Sequence, residues 1–213
     1  MSLFLVVLVV QVFVIFPLAG VGLLARFTVD IVFSLMMIAG AVALDRNRTL
    51  TFVIVLLTVI GLVVHWSSLY IPSFHHPVLD GSFLLALFGT FVVLMMIHIF
   101  KPGHITLHRL LGAVAAYLSI GITWGLAYYV AGMVNPGALQ FNTPIGQHEV
   151  PEARYIYFSF TTLTTIGYGD VIPIHPVARS LATAEALVGQ LYPAILIGGL
   201  LGMALQARMQ RER

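Results

Sequence analysis

Six long apolar segments constrain this chain more than any other feature of its sequence. They run from Leu3 to Leu24, Phe27 to Leu44, Thr51 to Tyr70, Phe83 to Phe100, Leu110 to Val130, and Val177 to Ala207. A helix of roughly 20 apolar residues crosses the hydrocarbon core of a bilayer, which is about 30 Å thick. The sequence therefore predicts an all-α integral membrane protein with six transmembrane helices.

The scarcity of charge supports this fold class. Charged residues make up 8% of the chain, whereas soluble proteins carry about 25%. A compact soluble fold of this size still exposes a large surface and could not hide so many apolar side chains from water. Composition thus excludes a cytosolic enzyme, a nucleic-acid-binding protein and a disordered regulator. The absence of cysteine excludes disulfides and thiolate metal sites.

The positions of the ten Lys and Arg residues predict the orientation in the membrane, because short cytoplasmic loops carry an excess of them. With both termini in the cytoplasm, seven cations lie inside, namely Arg46, Arg48, Lys101, Arg109, Arg208, Arg211 and Arg213. Three then lie outside, Arg26, Arg154 and Arg179. Four acids also face outside, where they can concentrate cations: Asp80, Glu149, Glu152 and Asp170. We expect this chain in a plasma membrane, most simply a bacterial inner membrane.

The segment between the fifth and sixth spans does not fit a simple loop. A helical run from Tyr155 to Leu163, opened by Pro151-Glu152, is too short to cross a bilayer. It ends at the glycine-containing stretch Thr164–Asp170, after which prolines return the chain to the sixth span. Irregular backbone at membrane depth is tolerated only where protein or a water-filled cavity surrounds it. The sequence therefore predicts a re-entrant loop.

Within that loop, Thr165-Ile166-Gly167-Tyr168-Gly169 resembles the selectivity filter of tetrameric potassium channels. The resemblance implies a carbonyl-lined filter that binds K+ at Thr165, Ile166, Gly167 and Tyr168. Glycines at alternate positions reach the positive φ values that bring successive carbonyls to one side. It also implies a homotetramer, because one chain supplies one filter strand. Support of the filter is expected from Thr161, Thr162, Thr164, Asp170, Tyr157 and Glu185, with Tyr157 as the partner of Asp170 and Glu185 bonding the short helix from behind.

The sixth span resembles the inner helix of small bacterial potassium channels, over Glu185–Tyr192 in particular. Gly189 falls at the spacing of a hinge glycine, and Pro193 is expected to kink the helix. Gln190, Ile197 and Leu201 follow at helical spacing and are expected to line the cavity. In the fifth span, Gly121 and Gly125 predict close helix packing.

The first four spans predict that the protein is not steeply voltage-gated. The fourth span contains no Arg or Lys, whereas voltage sensors carry three to four gating charges per subunit, as an order of magnitude. Residues 1–100 are therefore expected to form a four-span domain resembling a voltage-sensor bundle without gating arginines, and residues 101–213 a pore domain. Because the sixth span reaches Ala207, no cytoplasmic ligand-binding domain is expected in these residues. K+ is the only ion expected, with no organic cofactor and no enzymatic activity, and lipids surround the protein.

Two alternatives remain at this point. The chain can be an accessory subunit that conducts only with other channel subunits. It can also be a membrane redox protein that binds haem through histidine pairs such as His104 and His108, since the chain holds eight histidines. Interfacial solvation is the expected state of these two residues, and also of His65 and His98 near span ends. Asp30 is expected to pair with Arg26 or with a basic group in a neighbouring span.

Overall fold

The protein is described by a computed structural model, which covers residues 2–23, 26–43, 48–70, 77–100, 106–142 and 150–211. The described chain is almost entirely helical. Its elements are α1 (Ser2–Val10), a π-helical segment (Gln11–Ile15), α2 (Phe16–Gly20), α3 (Arg26–Ala43), α4 (Arg48–Tyr70), α5 (Pro77–Ile99), α6 (Leu107–Val134), β1 (Leu139–Phe141), α7 (Pro151–Leu163), β2 (Val171–Pro173) and α8 (Pro176–Arg211).

Four of the six predicted spans correspond to helices that are long and apolar enough to cross a membrane. Within the described residues they cover Ser2–Gly20, Pro77–Ile99, His108–Val134 and Pro176–Gly199. The second and third predicted spans contain shorter apolar helical stretches, Phe27–Gly40 and Ile54–Ser67. A membrane location follows from these helices, while the count of six spans stays a prediction.

α6 lies at the centre of the fold. It packs along α5 and α7 and also contacts α1 and α8, while α3 bridges α1 and α4. The largest core cluster joins side chains from α1, α3, α5 and α6, with Phe88 and Phe91 fully buried between them. The Arg109 side chain donates a 2.8 Å hydrogen bond to the carbonyl of Ile99 and so ties the end of α5 to the start of α6. The first helices and the α6–α8 region therefore share one packed core.

Two glycines of α6 let α7 lie close against it, as predicted from their spacing. A Cβ added at Gly125 would lie 2.8 Å from the Cα of Ile156, and one added at Gly121 would lie 2.8 Å from the ring of Phe160. Both distances are shorter than a carbon–carbon van der Waals contact. The missing side chains on α6 therefore fix where the short helix sits.

His65 departs from the sequence-based expectation. It is not solvated at a span end but 8% exposed, between the carboxylates of Asp30 (3.6 Å) and Asp80 (3.2 Å). The expectation was wrong because the packing of α3, α4 and α5 places His65 between two acids. A buried polar side chain needs such partners. The partner of Asp30 is thus a basic group of a neighbouring helix, one of the two predicted possibilities.

Candidate functional site

The site is built on α7, a helix of 13 residues that begins at Pro151. Proline suits the first turn of a helix because its missing N–H is not needed there. At about 1.5 Å per residue the helix is roughly 20 Å long, which is too short to cross a bilayer. Its carboxyl end at Leu163 leads directly into the loop Thr164–Asp170, the filter loop.

The filter loop has an alternating backbone. Thr165, Gly167 and Gly169 have positive φ values of 58°, 56° and 80°. Ordinary extended backbone points successive carbonyls to opposite sides, and a left-handed residue at every second position reverses this. Such an alternation can bring the carbonyls of one short segment to the same side. The sequence predicted it for the two glycines.

Thr165 is the part of this backbone that sequence reasoning missed. It is the only non-glycine with positive φ among the described residues, and a β-branched residue is strained there. Hydrogen bonds from the loop to the end of α7 hold it: Thr165 N–H donates to Thr162 O at 2.9 Å, and Ile166 N–H donates to Thr161 O at 2.8 Å. Gly167 N–H also donates to Thr161 O, at 3.1 Å. Strain maintained by its surroundings is typical of functional sites.

The predicted supporting residues lie around the loop, and the structure places each as follows. The Thr164 hydroxyl donates to Phe160 O at 2.6 Å, and the buried Thr161 hydroxyl donates to Phe158 O at 2.9 Å. The hydroxyls of Thr161 and Thr164 therefore donate to carbonyls of α7. The main-chain carbonyls of Thr161 and Thr162 accept hydrogen bonds from N–H groups of the loop. Burial and a hydrogen bond to Asp170 raise the pKa of Tyr157 to about 12. The phenol of Tyr157 therefore lies near the acid at the outer end of the loop.

Glu185 joins three helices behind the loop. It is fully buried on α8. One carboxylate oxygen accepts a 2.7 Å hydrogen bond from the Tyr128 hydroxyl on α6, and the other accepts one from the Ser159 hydroxyl on α7. A buried carboxylate is tolerated only when such partners satisfy it. Tyr128 and Ser159 had no local sequence signal, because their role depends on where α8 lies.

Gly189 lies at a close approach of α8 to the end of α7. A Cβ added there would overlap the carbonyl oxygen of Leu163. α8 runs unbroken through Gly189 and Pro193. Gln190 and Ile197 lie on faces of α8 that its own chain leaves exposed, and the side chain of Leu201 lies outside the described residues. Close packing is therefore an observed role of Gly189, and bending at this position stays a prediction.

A short antiparallel pair of strands stands at the outer end of the loop. β1 pairs with β2 in the register Leu139↔Pro173, Gln140↔Ile172 and Phe141↔Val171. Beyond it, Asn142 N–H donates to Asp170 O at 2.9 Å and the Asn142 side-chain amide donates to Gly169 O at 3.3 Å. Asn142 belongs to a segment rich in Asn, Pro and Gly, which predicts turns but gives no signal for these two contacts.

The described residues do not test the haem alternative at the pair His104 and His108. His108 is exposed in the first turn of α6, and His104 lies outside the described residues. Among the residues that the structure describes, no group of three His, Asp or Glu side chains is placed to hold a metal ion. Glu149, one of the four predicted external acids, also lies outside them.

The same part of the chain is similar to known channels. Residues 118–206 match a family model described as "Ion channel". The chain is 35% identical over 101 residues, or 47% of its length, to "Two pore potassium channel c" of Oryza sativa subsp. japonica. It is 52% identical over 42 residues (20% of the chain) to "Protein LctB" of Bacillus caldotenax, and 54% identical over 39 residues (18%) to "Inward rectifier potassium channel Kirbac3.1" of Paramagnetospirillum magnetotacticum.

These similarities concern part of each protein. The aligned segments cover 20%, 31% and 13% of the three relatives' own lengths. No solved structure shows significant similarity to the chain. The matched segment contains the end of α6, all of α7, the filter loop and most of α8. The comparisons therefore show that this part of the chain is similar to ion channels, among them two potassium channels.

Proposed function

We propose that four copies of this chain form a potassium-selective channel in which K+ moves down its electrochemical gradient. Each chain contributes one filter loop to a common axis. K+ is bound by the carbonyls of Thr165, Ile166, Gly167 and Tyr168, with Gly169 at the outer end. The observation that carries the proposal is the left-handed φ at every second residue of the loop, since aligned carbonyls can replace the hydration shell of K+.

Electrostatics favour a cation at the inner end of the loop. The carboxyl end of a helix carries a partial negative charge of roughly half an electron. α7 ends at Leu163, one residue before the loop begins, so this charge lies beside the first carbonyls. Four such helices around one axis would add their fields at the site that a dehydrated K+ enters.

The exposure of the loop in a single chain supports assembly. Tyr168 is 70% exposed and Ile166 is 53% exposed, although both are large and apolar in part. A single strand cannot surround an ion, whereas a cyclic tetramer supplies four and covers these side chains with neighbouring subunits. Gln190 and Ile197, on exposed faces of α8, and Leu201 then line the cavity below, and Gly189 and Pro193 shape the helix that gates it.

The proposed channel is not steeply voltage-gated. The span that would carry the sensor, Phe83–Phe100, contains no Arg or Lys, and each charge moved across the field contributes about 2.3 kcal/mol per 100 mV. We further propose six spans with both termini in the cytoplasm, in a bacterial plasma membrane. Residues 1–100 form the four-span domain of this topology, and residues 101–213 form the pore domain.

The test is K+ and Na+ flux into liposomes that contain the purified chain alone. The wild type is expected to pass K+ in clear preference to Na+, and Gly167→Ala is expected to abolish this preference. Gly137→Ala is the matched control, because Gly137 also has positive φ (94°) but lies outside the filter loop. Unchanged selectivity in Gly167→Ala would overturn the filter assignment. No flux from the wild type alone would favour the accessory-subunit alternative.

A further inference from the structure

We propose that Asn142 is a positioning residue of the filter, whose side-chain amide fixes the direction of the outermost carbonyl, that of Gly169. This inference rests on the proposed potassium-channel function and adds a residue that the filter motif does not contain. Its basis is a contact between the segment that joins α6 to α7, the external loop of the predicted topology, and the outer end of the filter loop, the filter exit. There the Asn142 amide nitrogen lies 3.3 Å from the Gly169 oxygen.

The main chain of Asn142 is held beside the exit. The β1–β2 pair ends at Phe141↔Val171, and Asn142 N–H extends it by donating to Asp170 O at 2.9 Å. At the other end of the pair, Ile174 N–H donates to Ala138 O at 2.9 Å. The segment 138–142 and the segment after the filter are thus bonded at both ends, which fixes the main chain of Asn142 beside the exit.

The amide itself is oriented by a second contact. Gln140 Nε2 donates to Asn142 Oδ1 at 3.0 Å, so the oxygen of the amide is occupied and its NH₂ group faces Gly169. A carbonyl oxygen has two lone pairs. Asn142 uses one of them, which leaves the other for a cation.

The Gly169 carbonyl depends on such a hydrogen bond more than the other carbonyls of the loop do. With no Cβ and a φ of 80°, its peptide can rotate at little steric cost. The inner end of the loop is held by three N–H groups that donate to the end of α7. The partner of the Tyr157 phenol is the Asp170 side chain, not the Gly169 carbonyl. Among the described residues, Asn142 is the side chain that bonds this carbonyl.

The experiment compares currents from reconstituted full-length channels as external K+ is lowered. Without Asn142, an outer carbonyl that has also lost its ion is free to rotate, so conduction fails sooner. For Asn142→Asp, which keeps the shape but removes the donor, and for Asn142→Ala, we expect current decay faster by about threefold to tenfold, the equivalent of one hydrogen bond. The decay should slow again in high external K+, and the K+ over Na+ permeability ratio should fall in low K+.

Asn135→Ala is the matched control, since it makes the same change on the same external loop, and it should behave as the wild type. Oligomer mass and thermal stability should be unchanged in all three variants. A purely structural role of Asn142 would instead alter these two properties and leave the dependence of the current on external K+ unchanged. Wild-type decay and permeability in both Asn142 variants, or an equal effect of Asn135→Ala, would overturn the inference. A wild type without K+-selective current would instead contradict the proposed function.

Discussion

α6 and α8 are both long enough to cross a membrane, yet their own chain covers them very differently. Over an 18-residue window of each span, 56% of the residues are buried in α6 and 11% in α8. α6 has neighbours on most sides, namely α1, α5, α7 and α8. α8 contacts its chain along one stripe, formed by Ala178, Glu185, Gly189 and Tyr192 at helical spacing.

The difference separates the surfaces that are packed within one chain from those that one chain leaves exposed. The stripe on α8 is specific: Tyr192 donates a 2.8 Å hydrogen bond to Ala113 O and stacks on Tyr117, and Glu185 bonds α6 and α7. The other faces are apolar and exposed, including Leu187, Leu191, Ile195 and Ile197. One packed stripe and exposed remaining faces on α8 are what the proposed tetramer requires.

The largest effect is expected from Gly189→Ala, in the stripe. The new Cβ would overlap the Leu163 carbonyl, so α8 has to move away from α7 at a cost of more than about 3 kcal/mol. We expect loss of K+ flux and a lower melting temperature in detergent. Gly198→Ala is the control, because among the described residues no atom beyond its chain neighbours and the nearby backbone of α8 lies within 4 Å of a Cβ at that position. Equal stability of the two variants would contradict the distinction between stripe and open face.

Glu185→Leu tests the polar centre of the stripe. The change leaves the Tyr128 hydroxyl without its acceptor, and an unpaired buried group costs about 1–3 kcal/mol. It also removes the bond from the Ser159 hydroxyl, which keeps the Gly121 carbonyl, 2.6 Å away, as an acceptor. We expect the free energy of unfolding to fall by about 3 kcal/mol, measured by denaturant titration in detergent. Tyr128→Phe removes only one of the two bonds and should cost about 1 kcal/mol. A larger loss from Tyr128→Phe than from Glu185→Leu would refute the arrangement.

Gly125→Ala tests the covered helix α6. Its Cβ would lie 2.8 Å from the Cα of Ile156, so α7 must shift and the filter loop with it, at a cost of about 2 kcal/mol. The expected result is reduced K+ selectivity in the flux assay together with lower thermal stability. Gly89→Ala on α5 serves for comparison, since its nearest neighbour is 4.0 Å away. Full selectivity in Gly125→Ala would show that α7 is not positioned by this contact.

Tyr157→Phe is expected to have the smallest effect, less than about 1 kcal/mol, because the side chain is 41% exposed and solvent weakens its interaction with Asp170. The raised pKa of Tyr157, about 12, favours the neutral phenol in the folded state. Its contribution is therefore present below the ordinary tyrosine pKa of about 10 and is lost as the pH rises through 12. The difference in tyrosinate absorbance between wild type and Tyr157→Phe measures this titration. A difference that titrates near 10 would remove the contact with Asp170 from the account.

Much of this arrangement could be predicted from the sequence. The apolar segments mark the long helices, and the run Thr164–Asp170 after a short helix marks the loop. Glycine at alternate positions predicts left-handed backbone at Gly167 and Gly169, because glycine alone adopts it without strain. Spacing on α6 predicts the packing of Gly121 and Gly125.

The remainder depends on neighbours that are distant in sequence. Thr165 adopts positive φ because carbonyls of α7 hold the loop, a tertiary effect that runs against its own preference. β1 and β2 have three residues each, too few for a periodic pattern, so the contact of Asn142 had no local signal. His65 was misjudged because its two acid partners come from two other helices. Spacing predicted Gly189 as a hinge glycine, which stays a prediction, and could not show that the Leu163 carbonyl lies against it.

The most direct test of the central claim is the reversal potential of the purified chain in a planar bilayer with K+ on one side and Na+ on the other. Four filter loops around one axis predict a current carried by K+, with a reversal potential displaced strongly toward the K+ equilibrium potential. A reversal potential near zero, with K+ and Na+ carrying similar currents, would contradict the account.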